Sequence, residues 1–444
     1  MKSKQKIFSN ILYMGVVQVA NYIFPLLTIP YVVRIIGPGK YGSINFAQAI
    51  VAYFVLVINY SFEYTASRDI AAAKGKKNEI NDIFCSVISV KIFLFVISTI
   101  IFVLMIQTID KLSGQVPLFV ISYSMVIGII FFPGWYFIGT GVMSRMAMFN
   151  LLLKIVFTGL IFLLIREQDD YLMMPLSVSI STILSAAVAF WYVLKTDGIK
   201  IKLMYWEDIR SSIINGAAIF ISLIFVSIYS LTNIVLLGFF STDEKVGYFA
   251  AASKIISIIV TVVVATTGKA LYPVIAETYG DISRDEQKQF IQKNIILLSM
   301  LTVPISLVLF FFADWIIIIL FGAQFVDSII PLKIISVLPI VFGISTILVI
   351  QTMFILKMEK QFVIISFCGV ILSVTLNTIL IPLLSINGVA ATWLLVEVFV
   401  TFLSAVTLHN RGYTIFDHTF LLQLQNTLPL VKKNVNAIFL KKRE

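Results

Sequence analysis

Apolar stretches close to twenty residues long recur along the chain almost from end to end, with short polar connections between them. A bilayer hydrocarbon core of roughly 30 Å is crossed by a helix of roughly 20 apolar residues. The pattern predicts spans near 11–33, 43–64, 83–106, 116–139, 147–165, 172–194, 213–239, 246–271, 291–312, 329–355, 362–384 and 387–408. Segment 313–325, with Asp314, Trp315 and Gly322, extends the ninth helix or lies at the interface. The expected fold class is therefore an all-α integral membrane protein with 12 transmembrane helices.

Composition agrees: 59% of 444 residues are hydrophobic and only 13% charged, against about a quarter charged in soluble domains. No soluble domain of useful size remains. The start Met1-Lys2-Ser3-Lys4 precedes an apolar run that is too long for a signal peptide and contains Pro25 and Pro30, so it reads as an uncleaved first span. His409 and His418 lie at or beyond the last span, and Cys85 and Cys368 sit in separate helices, so no metal cluster or disulfide framework is expected. Thr267-Gly268-Lys269-Ala270 lacks the leading glycine and the magnesium-binding hydroxyl of a phosphate loop. No nucleophile, base and orienting group occur together. The chain is expected to be no enzyme and to need no cofactor.

The net charge of +10 is distributed as a topology signal rather than a nucleic-acid footprint. With the N-terminus inside, internal connections and the tail carry 23 Lys and Arg, and external connections carry six: Arg34, Lys40, Lys111, Arg166, Lys245 and Lys333. Both termini are then cytoplasmic. The tail 411–444 alternates apolar runs with lysines and is expected to lie on the inner membrane surface.

An internal repeat is also visible. Ile35-Ile36-Gly37, Gly42, Ala47 and Ile50 are echoed by Leu236-Leu237-Gly238, Gly247, Ala252 and Ile255, and from Gly42 onward the offset is 205. The same offset aligns Ile70-Ala71 and Gly75 with Ile275-Ala276 and Gly280. Six helices separate the copies, an even number, so the repeats are parallel. The chain then divides into an N-lobe, 1–205, a C-lobe, 206–410, and the tail, with a central cavity between the lobes.

Function must lie in polar residues within the spans. Lys91, Lys154, Lys254 and Lys269 fall inside them. Lys269 is close enough to a helix end to snorkel, whereas Lys91 and Lys154 lie about 12 Å from theirs, leaving cavity and lipid interface as alternatives. Gln18, Asn21, Pro25 and Thr28 share one face of helix 1; Asn45, Gln48 and Asn59 group on helix 2; Ser222, Tyr229 and Asn233 group on helix 7. Such stripes line a cavity or glue helices together. Pro25 and Pro30 permit bending of a gating helix or mark a static kink. Glu63 and Glu397 are the acids clearly within spans, and Glu397 either binds a coupling ion or pairs locally. A cation-rich pathway with amides and hydroxyls suits an anionic substrate that carries sugar-like groups.

Several motifs carry a family resemblance. Arg34-Ile-Ile-Gly37-Pro-Gly-Lys-Tyr41-Gly42 resembles the helix 1–2 motif of polysaccharide flippases in the MATE-like, or MOP, superfamily, and Trp135-Tyr136-Phe137-Ile138-Gly139 is similar to their helix 4 exit. Arg68-Asp69-Ile70-Ala71, Gly247-Tyr248-Phe249-Ala250 with Lys254, Phe321-Gly322-Ala-Gln-Phe325 and Asn387-Gly388-Val-Ala390 follow in order. Within the superfamily the resemblance is to Wzx-type O-antigen or capsular repeat-unit transporters. It implies a bacterial inner-membrane flippase that moves undecaprenyl-diphosphate-linked oligosaccharide by alternating access, with membrane lipids, a polysaccharide polymerase and a chain-length regulator as partners. Arg34, Lys91, Lys154 and Lys254 would neutralise the diphosphate, and Trp135, Tyr136 and the amide stripes would contact sugar. Many relatives read Trp-Tyr-Phe-Gln-Gly where this chain has Ile138, which puts that glutamine's sugar contact in doubt. Rival readings are a drug-cation carrier of the same fold, a flippase for a peptidoglycan or teichoic-acid precursor, and a polymerase. Helix 1 lacks the carboxylate that such carriers use, and the external connections are short for a polymerase.

Overall fold

A computed structural model describes residues 2–202, 204–268 and 283–415, together with 417, 419, 420, 423 and 425. Side chains are described at Phe24 and from Leu27 onward, except at Ser222, Val226, Ile228, Tyr229, Ser230 and Ala265. The side chains of Gln18, Asn21, Pro25 and Tyr229, all of Lys269, and most of the tail 411–444 lie outside the described residues.

The described residues are predominantly helical, and no strand occurs among them. In chain order the helices are α1 (Lys2–Asn59), α2 (Thr65–Ala72), α3 (Lys77–Thr108), α4 (Asp110–Ser113), α5 (Val116–Phe131), α6 (Gly134–Gly139), α7 (Met143–Leu164), α8 (Met173–Thr196), α9 (Trp206–Phe240), α10 (Asp243–Ile259), α11 (Arg284–Phe311), α12 (Ala313–Phe321), α13 (Ile329–Ile335), α14 (Leu338–Leu348), α15 (Glu359–Leu384) and α16 (Ile386–His409). Nine helices among the described residues are long and apolar enough to cross a membrane. A tenth span results if Ala323–Ile335 and Leu338–Met353, bent by 41°, count as one.

Packing is that of a protein bathed in lipid. On α3, Ile97, Ile100, Ile101 and Leu104 are exposed at helical spacing, while Phe84, Val87, Lys91 and Ser98 on the other side are buried. A stripe of this kind would be an unstable surface in water.

The first two predicted spans form one continuous element broken at Gly37, where φ is 75° and ψ 171°. Pro38 has no N–H to give to the carbonyl four residues back, and it disfavours helical geometry at residue 37. Glycine there takes the left-handed φ without strain. The Arg34 and Val33 carbonyls left over by the break accept instead from Gln324 Nε2, at 3.2 and 2.9 Å. The turn joining two helices is thus compressed into the helix axis. At α11 the start is fixed by a capping box, with Ser283 N donating to Glu286 Oε2 at 2.8 Å.

Two π-helical stretches, Val260–Ala265 and Val349–Met353, interrupt otherwise regular helices. From the second, Gln351 Nε2 donates to the carbonyl of Gly268, three residues beyond the first, at 3.3 Å.

The chain forms two compact units, one running to Ala250 and taking in Leu320–Gln324, the other comprising Ala251–Ile319 and Phe325 onward. In the first, α1 packs on α3, α5, α7 and α9. In the second, α11 packs on α14, and α14 and α15 pack on α16. Helix α9, assigned by the repeat to the C-lobe, packs within the first unit.

Candidate functional site

Lys91 is 2% exposed, on the protein-facing side of α3. Its Nζ donates to Ile129 O at 3.1 Å and Asn59 Oδ1 at 3.3 Å. Snorkelling to a lipid interface is therefore not how this lysine is accommodated. It borders a cavity of about 170 Å³ shared with Asn59, Glu63, Phe132, Trp135 and Met146. Glu63 attracts the ammonium. The Trp135 indole N–H is buried and has no acceptor among the described residues. The aromatic wall is built where α5 ends: Phe132 leaves the helix, Pro133 starts α6, and the one-and-a-half turns that follow place Trp135 against Phe84, with ring centroids 5.3 Å apart. Tyr136 packs edge-on to Phe84 at 5.6 Å in the same buried aromatic cluster. One wall of the site thus carries a buried cation, a carboxylate, an amide and an unspent indole donor.

The other residues singled out by sequence are more scattered. Lys154 is half-buried on α7 and has no hydrogen-bond partner among the described residues. Lys254 is exposed on α10 and lies in the second unit. Arg34 is exposed just before the Gly37 break, its stem about 3.6 Å from where a Gly322 side chain would begin. Asn45 donates to the Tyr41 carbonyl of its own helix at 2.8 Å, and Gln48 is half-buried nearby. Asn233 is buried on α9 beside Thr232, whose hydroxyl meets Tyr53 at 3.3 Å. Pro30 is half-buried. Glu397 is 1% exposed on α16, in the second unit. The structure brings together Lys91, Trp135, Asn59 and Glu63; the other predicted residues whose side chains are described do not line that cavity.

Sequence reasoning missed the group at the far ends of these helices. Asp243, the first residue of α10, accepts from Ser43 Oγ at 2.6 Å and Gln115 Nε2 at 2.8 Å, and pairs with Lys111 at 3.4 Å. Lys111 also donates to the carbonyls of Gly238 and Ser241, the latter at 2.8 Å. Asp243 lies in the short connection between the predicted spans 213–239 and 246–271. The neighbouring backbone is close: a Cβ on Gly42 would lie 1.7 Å from the Asp243 carbonyl oxygen.

Residues 7–279 match the family described as "Polysaccharide biosynthesis protein". The chain belongs to this family. It is 29% identical over 409 residues to a protein of Escherichia coli (strain K12) that carries the name of an O-antigen transporter, covering 92% of this chain and 98% of that one. A Shigella dysenteriae protein of the same name is 26% identical over 271 residues, 61% of this chain and 68% of the relative. Two solved structures share the fold at TM-score 0.71 and 14% identity. One is an inward-facing multidrug-resistance MATE transporter of the MOP superfamily, with 89% of this chain and 97% of that one covered. The other is the lipid II flippase MurJ in an inward closed conformation, with 97% and 99% covered. This member of the polysaccharide biosynthesis family is a multi-pass protein of the bacterial inner membrane.

Proposed function

We propose that the protein is a flippase that moves undecaprenyl-diphosphate-linked oligosaccharide repeat units, of O-antigen or capsule, from the inner to the outer leaflet. The reading has twelve spans, both termini in the cytoplasm, and two parallel six-helix lobes, 1–205 and 206–410, that rock about a central cavity. The tail 411–444 rests on the inner surface.

One observation carries it beyond family membership. Lys91 is buried deep in an apolar span, and its two hydrogen-bond acceptors are neutral. A buried cation is costly unless charge compensates it, and here the adjoining cavity also offers the unspent Trp135 donor. A diphosphate–sugar head adds anionic charge to that of Glu63 beside the ammonium, and brings an acceptor for the Trp135 N–H. Arg34, Lys154 and Lys254 extend the cationic pathway, and Gln18, Asn21, Asn45, Gln48, Tyr136, Tyr229 and Asn233 supply hydrogen bonds to hydroxyls. Pro25 and Pro30 let helix 1 bend as the lobes rock, and Glu397 is the position for a coupling ion. The lipid tail stays in the bilayer, and a polymerase and a chain-length regulator take over the product.

The test is transport by the purified protein in liposomes. Movement of a fluorescent diphosphate-linked oligosaccharide across the bilayer is expected, with no efflux of cationic dyes. Dye efflux abolished by Glu397→Gln, with no movement of the lipid-linked sugar, would replace this reading by that of a drug-cation carrier.

A further inference from the structure

A second cavity, of about 430 Å³, lies at the opposite ends of the helices from Lys91, on the face assigned above to the outside. Four separate connections build it. The break at Gly37 sets Lys40 and Ser43 along one wall. The connection before α5 contributes Gln115, the 3₁₀ turn Gln168–Leu172 contributes Gln168 and Tyr171, and the start of α10 contributes Asp243. Its volume falls in the range of small-molecule pockets, roughly 300–1,000 Å³.

The lining is chemically distinctive. Lys40 and Asp243 are its two charges, Lys40 lying 4.2 Å over the Tyr171 ring and Asp243 already paired with Lys111. Lys40 is therefore the one lining charge not matched by a carboxylate among the described residues, and the Tyr171 ring lies against it. The cavity also presents hydrogen-bonding capacity of both kinds. Gln168 and the Tyr171 hydroxyl have no hydrogen-bond partner among the described residues, and Gln115 uses its NH₂ on Asp243 while its carbonyl oxygen stays unspent. Amides donate and accept side by side, as do the hydroxyls of a sugar ring, and an aromatic ring offers an apolar surface to its C–H groups. A phosphate would find Lys40 as its one unmatched cation, with the Asp243 carboxylate beside it, and a hydrophobic ligand would leave the amides and hydroxyls unpaired.

We infer that this cavity is a saccharide-binding cradle that takes neutral sugar residues of the glycan as they emerge on the outer face. The inference rests on the flippase reading for its substrate. Because Ser43 and Gln115 both hold Asp243, sugar hydroxyls that bind them compete for the contact that closes this end of the protein.

The test uses the full-length protein in nanodiscs and in liposomes. Three probes are needed: the oligosaccharide released by mild acid from the host's lipid-linked repeat units, and two lipid diphosphates, one bearing the whole repeat and one a single sugar. Saturation-transfer NMR should detect the free oligosaccharide on the wild type. Gln168→Ala with Tyr171→Ala should weaken that binding about thirtyfold, as expected for two lost hydrogen bonds near 1 kcal/mol each. It should slow transport of the full unit several-fold and leave the single-sugar lipid unaffected. Tyr171→Phe and Gln168→Glu, which keep the shape, should give intermediate losses in protein of unchanged thermal midpoint. Wild-type oligosaccharide binding by these variants, or equal slowing of both lipids, would overturn the cradle. Wild-type protein that moves neither lipid would sink the flippase reading instead, and loss of oligosaccharide binding in the variants would still support the cradle.

Discussion

Gly42 and Gly247, 205 positions apart in sequence, pack backbone to backbone, and each approaches the other's preceding turn. A Cβ on Gly42 would lie 1.7 Å from the Asp243 carbonyl oxygen and 2.6 Å from Gly247 N; a Cβ on Gly247 would lie 2.0 Å from the Pro38 carbonyl oxygen and 3.2 Å from Gly42 N. Gly42 and Gly247 open the stretch over which the offset of 205 runs, whereas Gly37 and Gly238 before them stand 201 apart. Such reciprocity, in which residue i meets j and j meets i, is what a two-fold axis imposes where it passes between equivalent elements. It is the contact that the proposed parallel repeat would make with its pseudo-axis between the second half of α1 and α10.

Gly42→Ala and Gly247→Ala should therefore be damaging. The colliding atoms are backbone oxygens, which no side-chain rotation can move, so α1 and α10 must separate. Overpacking of this kind costs about 1–3 kcal/mol. A lower thermal midpoint and faster thiol labelling of Ser43→Cys from outside are expected. Unchanged labelling in a stable Gly42→Ala protein would show that the contact does not hold this end shut.

Asp243→Ala should loosen the same contact by a different route. It removes one acceptor for Ser43, Gln115 and Lys111 together, while Lys111 keeps the carbonyls of Gly238 and Ser241. Asp243→Asn keeps an amide oxygen that can accept from the Ser43 hydroxyl and loses mainly the ion pair, worth about 1 kcal/mol or less at a partly exposed site. Outside labelling of Ser43→Cys should rise strongly with alanine and slightly with asparagine, and added salt should narrow the gap between wild type and Asp243→Asn.

Lys91→Ala should reduce export of surface polysaccharide by about tenfold or more, the worth of a hydrogen bond to a charged group at roughly 1.5–3 kcal/mol. Lys91→Arg keeps the charge beside a cavity that can admit the guanidinium, and should retain more transport. Lys154→Ala and Lys254→Ala test the rest of the pathway in the same assay. Normal export by all three alanine variants would remove the cationic wall from the mechanism.

Much of this was readable in the chain, and the reasons differ by residue. The helices were legible because a bilayer demands long apolar runs, and Gly37-Pro38 marked where the first ends. The offset between Gly42 and Gly247 was legible too, but their mutual contact was not, since nothing local in either glycine specifies its neighbour. Lys91 and Trp135 stood out separately, as a charge in an apolar run and as a motif; only the turn at Pro133 brings them to one cavity. Gln115, Gln168, Tyr171 and Asp243 carried no signal at all. They sit in connections without periodicity, and their meaning arises from four connections converging.

The start of the tail is clasped to α11, and its pH response has a definite sign. Lys288 pairs with Asp417, Gln292 Nε2 donates to Ile415 O at 2.8 Å and Asp417 at 3.1 Å, and Tyr413 donates to Gln287 at 2.7 Å. Burial works to raise the Asp417 carboxyl, but the Lys288 ammonium, the Thr419 hydroxyl and the Phe420 N–H hold it well below the usual carboxylate range. The folded state thus favours the charged form. Its contribution is complete above the ordinary aspartate value near ~3.9 and is lost as pH falls below that. Between pH 5 and 8 the clasp should be insensitive to pH, while Asp417→Asn should lower the thermal midpoint by a similar amount across that whole interval. A midpoint difference that vanishes at pH 5 would place the titration elsewhere.

The inside–outside assignment underlies both cavities, and it can be tested without disturbing either. It rests on 23 Lys and Arg in the connections placed inside against six outside. Lys245 is exposed at the start of α10, and Lys74 is exposed in the connection between α2 and α3. Neither makes a described ion pair or hydrogen bond through its side chain, so cysteine at either position should leave the fold intact. Native Cys85 is buried, and Cys368→Ser removes the half-buried second thiol. A membrane-impermeant maleimide added to sealed cells should label Lys245→Cys and spare Lys74→Cys until the membrane is opened. Removing one cation from 23 leaves the orienting bias intact, so the substitution itself cannot invert the protein. The reverse labelling pattern would put Lys91 on the outer side and the saccharide cradle in the cytoplasm. The cradle would then meet the glycan before the crossing rather than after it.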